Sequence, residues 1–220
     1  MGRPTDDVYM TLKTDIMHGR LAPGAHLVEE TIGQQFNVSR TPIRNAIKRL
    51  EDEGLVFVES RRGAFVASWT SADAAEVMAI RSMLEAQAAA LAAERRTPED
   101  LEYLAGICDK MEGVEETRAA DFRDRMAHYN HEFHIGILQV ARSPRLFNIC
   151  KNLTLAPLMS GSFQAYDEHH LHRSLWDHRA ILTSIRLQDE ESARAMMAAH
   201  LRITYQFMSN RDNSTDDISA

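Results

Sequence analysis

The chain has little sulfur chemistry to offer. Its two cysteines, Cys108 and Cys150, sit far apart with no CxxC spacing, which excludes a disulfide framework and a thiolate metal site. Each reads as a buried, reduced thiol. Long apolar runs are missing as well. Nothing approaches the ~20 residues of a membrane span, and the leading Met1-Gly-Arg-Pro-Thr-Asp-Asp has no apolar signal core. A cytoplasmic chain with no membrane partner is expected. There is no internal repeat, and 220 residues suffice for two modest domains.

A basic balance is also missing, for the formal net charge is -7. That charge is unevenly distributed. Residues 1–70 balance nine basic against nine acidic side chains, so the whole deficit lies beyond residue 70. A nucleic-acid contact would have to come from a local patch in the first part. The acidic remainder would then repel DNA from the wrong side.

One stretch lacks acids entirely. From Thr31 to Leu50 there are four basic residues (Arg40, Arg44, Lys48 and Arg49) and no carboxylate. Ser39 has the side chain of a helix N-cap, and Pro42 falls where an early N–H has no intrahelical acceptor to lose. Ile43, Ala46, Ile47 and Leu50 recur at helical spacing as the buried face. Arg40, Arg44 and Lys48 run i, i+4, i+8 along another face. Charge runs are usually solvated surface. This one also has the electrostatic form needed to meet phosphates and base edges.

Its surroundings decide between those readings. Asp6 to His18 reads as a helix with Val8, Leu12 and Ile16 inward, stopped by Gly19 and a Pro23-Gly24 turn. Glu29 to Phe36 is a second helix, joined to the third by a tight turn at Asn37-Val38. Gly54 ends the third helix. Leu55–Ser60 and Ala64–Trp69 follow as a hairpin around Arg61-Arg62-Gly63. Together these make a winged helix-turn-helix over residues 1–70.

Ser39-Arg-Thr-Pro-Ile-Arg44, Arg49-Leu-Glu-Asp-Glu-Gly-Leu55 and Arg62-Gly63-Ala64-Phe65-Val66 resemble the GntR superfamily of bacterial transcription regulators. The resemblance implies that Ser39, Arg40, Thr41 and Arg44 contact operator DNA, with Lys48 on the same face. It also brings the Arg61, Arg62 and Gly63 tip to the minor groove. Glu30 stands where some relatives carry a base-reading arginine, so no contact is carried over there.

Beyond Trp69 the pattern is helical throughout. Six helices are expected, at about 71–96, 98–116, 119–141, 144–161, 167–187 and 190–208. Thr97 caps the second with Pro98 at its first position, and Ser143 caps the fourth. Pro157 should kink or shorten the fourth helix. The fold class is therefore mainly α, a winged helix-turn-helix followed by a six-helix antiparallel bundle over 71–209. Residues 210–220 read as a disordered polar tail.

Asn130 and His134 are four apart and share a helix face. His178 and His200 lie about ten residues before and eleven after the turn at Gln188-Asp189. At ~1.5 Å per residue they reach nearly equal heights on adjacent helices. One amide oxygen and three imidazoles could then converge inside the bundle. Spacing alone favours ordinary packing, since the chain has ten histidines.

Arg81-Ser-Met-Leu-Glu85, Asn130-His-Glu-Phe-His134, His178-Arg-Ala-Ile-Leu182 and Ala199-His200-Leu201 resemble the FCD effector domain of FadR-type regulators, in its shorter VanR-like branch. Many members of that family hold a divalent metal with an Asp or Asn and three His. The resemblance places such a metal on Asn130, His134, His178 and His200. Imidazole ligands with an open position suit zinc ahead of nickel. An amide at Asn130 cancels none of the metal's charge, so metal binding weakens while attraction for an anion grows.

Arg81 is either a bidentate anchor for an effector carboxylate or a surface partner of Glu85. His169, His170 and His172 are expected to face water, as are His128 and His131, though these two could also support the site. Met78, Met83, Met196 and Met197 are expected in core or dimer packing.

The expected protein is a homodimeric, ligand-responsive regulator, most often a repressor by the resemblance. It would bind a pseudo-palindromic double-stranded operator and answer to a small carboxylate. A metal-sensing regulator is the alternative. A metal-dependent hydrolase with an appended DNA head is a weaker one, since no general base accompanies the site; the chain is not expected to be an enzyme.

Overall fold

The computed structural model describes residues 4–17, 19–68, 71–153 and 166–216. The chain divides into two compact units, 1–70 and 71–220.

In the first unit α1 (Pro4–Met17), α2 (Glu29–Phe36) and α3 (Arg40–Asp52) enclose one apolar core. Val8, Leu12 and Ile16 of α1 meet Ile32 of α2 and Ile43, Ala46, Ile47 and Leu50 of α3 there. Burying each such side chain is worth about 1.5–3 kcal/mol. A polar lock reinforces the α1–α3 contact. The Tyr9 hydroxyl donates to Glu53 at 2.5 Å, Lys13 reaches the same carboxylate at 2.9 Å, and the Arg49 guanidinium lies 3.8 Å from the Tyr9 ring centre. The turn between α2 and α3 works because Asn37 takes a left-handed conformation (φ 51), which an asparagine tolerates better than most residues.

The hairpin is present as β2 (Val56–Glu59) and β3 (Gly63–Val66). A third strand, β1 (His26–Leu27), pairs antiparallel with the far edge of β3, giving the order β1-β3-β2. Two residues are too few to show any period, so the sequence did not display this strand. Gly63 is required where β1 and β3 meet. Its φ is +101, and a Cβ there would lie 2.6 Å from Nε2 of His26.

The second unit holds six helices among the described residues: α4 (Ser71–Arg95), α5 (Pro98–Thr117), α6 (Phe122–Val140), α7 (Pro144–Leu153), α8 (Glu168–Arg186) and α9 (Glu190–Asp216). Thr97 caps α5 in a full capping box, exchanging bonds with Asp100. Alanines set the packing: Ala86, Ala89 and Ala93 are buried on α4, the helix that runs most extensively against α9. Three arginines gather helix ends at one end of the bundle. Arg95 donates to the Ala141 carbonyl, Arg142 to the Arg95 carbonyl and to Asp100, and Arg96 to the Arg186 carbonyl. C-terminal carbonyls of α4, α6 and α8 thereby gain cationic partners.

One expectation changes. The last helix continues to Asp216, through the first part of the segment expected to be a disordered tail; Glu190 to Asp216 contains no glycine or proline to stop it. Pro157 and the expected end of the fourth helix at Gly161 lie outside the described residues. Among the described residues, no helix is long and apolar enough to cross a membrane.

Candidate functional sites

The outer face of α3 is the first candidate. With Ile43, Ala46, Ile47 and Leu50 turned into the core, Ser39, Arg40, Thr41, Arg44 and Lys48 are all exposed. Ser39 holds the N-cap position with extended backbone, yet its hydroxyl makes no cap bond. The expected cap is corrected to that extent: helix geometry is set without it, and the hydroxyl stays available.

The expectation that these cations lack carboxylates holds only in part. Arg44 donates through Nε to both oxygens of Glu29, at 2.9 and 3.0 Å. Glu29 lies on α2, just before the acid-free stretch, and its hydrogen bond raises the arginine pKa. The pair is exposed and can exchange for a phosphate. Arg40 and Lys48 have no carboxylate partner among the described residues. At the wing tip Arg61 is left-handed (φ 66), Arg62 pairs with Glu59, and Gly63 follows, all three exposed.

The second candidate is inside the bundle. Asn130 and His134 on α6, His178 on α8 and His200 on α9 are all buried, at 7, 1, 1 and 4 % exposure. One ring nitrogen from each of the three histidines lies within 4.8 Å of the others. Asn130 sits one turn before His134 on the same helix. Phe133 closes one side, its ring edge-on to His178 at 4.8 Å between centres.

Glu85, on α4, organises this cluster. Its Oε2 lies 2.6 Å from Nδ1 of His134, while Oε1 accepts from Arg81 Nε at 2.6 Å. Arg81 and Glu85 are each 1 % exposed. The surface-pair expectation is thus corrected: the pair exists and is buried. The pair commits Nε of Arg81 to Glu85. An alanine-rich helix gave no sign that the arginine would turn inward.

Burial acts to raise the Glu85 pKa, but the adjacent Arg81 charge and then His134 outweigh it and hold the carboxyl at about 2. Burial pushes His134 below its ordinary value despite Glu85. Since Arg81 already neutralises the carboxylate, we take Glu85 as ionised and His134 as neutral. His134 then donates its Nδ1–H to Glu85, leaving Nε2 without a protein partner. Burial drives His178 well below the ordinary imidazole value, aided by His200 and His134. A weak approach to the Ser174 carbonyl one turn back falls short of a hydrogen bond.

Three converging imidazoles, with His134 and His178 held neutral and carrying unspent nitrogens, fit a divalent cation: neutral ligands bind without first losing a proton, and a carboxylate behind one ring is a usual outer support.

Two groups next to this cluster escaped the sequence reading. Glu85 had been seen only as a partner of Arg81. Asp177, 7 % exposed on α8, places Oδ2 3.5 Å from Nδ1 of His200. Its position beside His178 was the available signal, because neighbours on a helix point about 100° apart and face different helices. His169 and His172 are exposed, as expected, whereas His170 is partly covered by Phe207. Met78 and Met197 are core; Met83 and Met196 are exposed.

The Glu85 shift fixes a pH dependence. Unfolded, Glu85 takes up a proton near its ordinary 4.5; folded, it stays ionised to about 2. The stability it lends is complete above pH 4.5 and lost as pH falls toward 2. Glu85→Gln should flatten this part of the acid-unfolding curve, measured by circular dichroism. An unchanged curve would contradict the buried ion pair.

Residues 4–66 match the family described as bacterial regulatory proteins, gntR family, and residues 76–203 match the FCD domain. The HTH-type transcriptional regulator YdhC of Bacillus subtilis strain 168 is 27 % identical over 197 residues, covering 87 % of this chain and 85 % of the relative. The galactonate operon transcriptional repressor of Escherichia coli K12 is 28 % identical over 225 residues, covering 90 % and 95 %. Among solved structures, E. coli McbR/YncC superposes with a TM-score of 0.78 at 25 % identity, covering 96 % of this chain and 99 % of that one.

Proposed function

We propose a specific mode of action for a chain that belongs to the gntR family of bacterial regulatory proteins and carries an FCD domain. It is a transcriptional regulator of that type; the families and relatives it matches are regulators rather than enzymes. Our reading is a cytoplasmic repressor whose hold on its operator changes when a small organic acid binds in the second unit. The observation that carries it is the cluster of three buried histidines, two of which, His134 and His178, have unspent ring nitrogens.

His134, His178 and His200 would hold a divalent metal, zinc ahead of nickel, with Asn130 as an oxygen donor. When bound, the metal would supply a Lewis-acidic centre with a position open to a carboxylate oxygen. The protein's part is to aim three imidazoles at one point, to exclude water with Phe133 and its neighbours, and to add no charge at Asn130. Glu85 links the centre to α4, the helix into which the chain runs from the first unit. An acid acts only insofar as it binds one arrangement more tightly than the other.

On DNA, Ser39, Arg40, Thr41, Arg44 and Lys48 would face the major groove, and Arg61, Arg62 and Gly63 the minor groove. Two copies would set their α3 helices one turn of duplex apart, about 34 Å, on a pseudo-palindrome. Arg44 would exchange Glu29 for a phosphate or base edge, so part of its gain offsets a lost ion pair.

Arg40→Ala and Arg44→Ala should each weaken operator binding by about 1–3 kcal/mol with the thermal transition unchanged. Full binding in a gel-shift titration would contradict the groove-facing assignment. His200→Ala should bind operator normally and lose its response to any acid that releases the parent protein. A retained response would remove the histidine centre from the mechanism.

The amide at Asn130 has its own test. Asn130→Asp should tighten zinc binding and weaken binding of the acid, both followed by calorimetry. If zinc affinity rises and acid affinity does not fall, the charge argument for Asn130 fails.

A further inference from the structure

Two of the three clustered histidines have a carboxylate at Nδ1. For His134 it is Glu85, at 2.6 Å. For His200 it is Asp177, at 3.5 Å through Oδ2. Asp177 lies on α8 one residue before His178, and that step turns its side chain toward α9 while His178 faces the cluster. Its other oxygen, Oδ1, accepts from Arg173 Nε at 3.0 Å. The carboxylate thus bridges a cation at the surface (Arg173 side chain 43 % exposed) and a ring in the interior.

Asp177 is the carboxylate that approaches Nδ1 of His200. A cavity beside the pair, lined by Tyr166, Arg173, Ser174, Asp177, His200 and Thr204 among others, has a volume of ≈ 10 Å³, room for about one water. The Tyr166 hydroxyl is 3.1 Å from Thr204 Oγ1. A neutral imidazole carries one N–H and one lone pair, and an acceptor at Nδ1 puts the lone pair on Nε2.

We propose that Asp177 is the positioning residue of His200: it keeps the proton on Nδ1 and presents Nε2 as a lone pair to His134 and His178. Glu85 and Asp177 then do the same work from two different helices, α4 and α8. Glu85 is locked by a fully buried arginine, Asp177 by one at the surface. Because Asn130 brings no carboxylate into the cluster, these two outer carboxylates carry the negative charge nearest to it. The geometric claim concerns His200 alone; its consequence for metal affinity rests on the metal reading of the same site.

The test uses the full-length protein and zinc(II) alone. Nitrogen-15 shifts of the His200 ring in metal-free protein should show one tautomer, protonated at Nδ1. In Asp177→Ala they should show a mixture of both. Zinc affinity, measured by competition with a chromophoric chelator, should fall about 10- to 100-fold in Asp177→Ala. Arg173→Gln, which strips the same carboxylate of its other partner, should leave tautomer and affinity as in the parent. Should Asp177→Ala fail to fold, Asp177→Leu carries the same comparison, since it keeps the volume and offers no acceptor to Nδ1.

A single unchanged tautomer in the Asp177 variants would overturn the proposal. So would an equal loss of zinc affinity in Arg173→Gln, which would assign the effect to packing around Asp177. A parent protein that binds no zinc would refute the metal reading instead, and the tautomer comparison would still decide the role of Asp177.

Discussion

A buried chain of charge and hydrogen bonds, Arg81–Glu85–His134, sets the terms for the second unit. Two ions with 1 % exposure inside an alanine-lined bundle are costly to desolvate, and their attraction repays that cost only with good geometry and full hydrogen bonding. Here Glu85 spends one oxygen on Arg81 and the other on His134. That second bond fixes which nitrogen of His134 carries the proton and which is left facing His178 and His200. Small alanines on α4 pack the helix closely against its neighbours, and Glu85 reaches from it to His134 on α6.

The same economy governs the first unit. The core takes Ile43, Ala46, Ile47 and Leu50 of α3, and its exposed face includes Ser39, Arg40, Thr41, Arg44 and Lys48. The lock among Tyr9, Lys13, Arg49 and Glu53 removes one of the four α3 cations from that face by stacking Arg49 on α1. The charge that points outward is therefore a subset selected by packing. A net acidic chain can in this way present a basic helix.

What could be read from the sequence was whatever depends on local rules. The α3 face, the Thr97 cap and the matching heights of His178 and His200 all follow from periodicity, capping and the rise per residue. Contacts between distant segments could not be read that way. Glu29 reaches Arg44 from another helix, β1 pairs through only two residues, and Asp177 meets His200 across a helix boundary. The Arg81–Glu85 spacing was visible, but the burial that turns a weak surface pair into an organising one depends on the helices packed over it. The run of helix past Met208 had no stop signal and was masked by its polar composition.

The most direct test of the account is the metal content of gently purified, chelator-free protein beside that of His134→Ala/His178→Ala. The account predicts near-stoichiometric divalent metal in the parent, lost in the double variant. A parent protein without metal, or a variant that keeps it, would contradict the claim that these histidines form the regulatory centre.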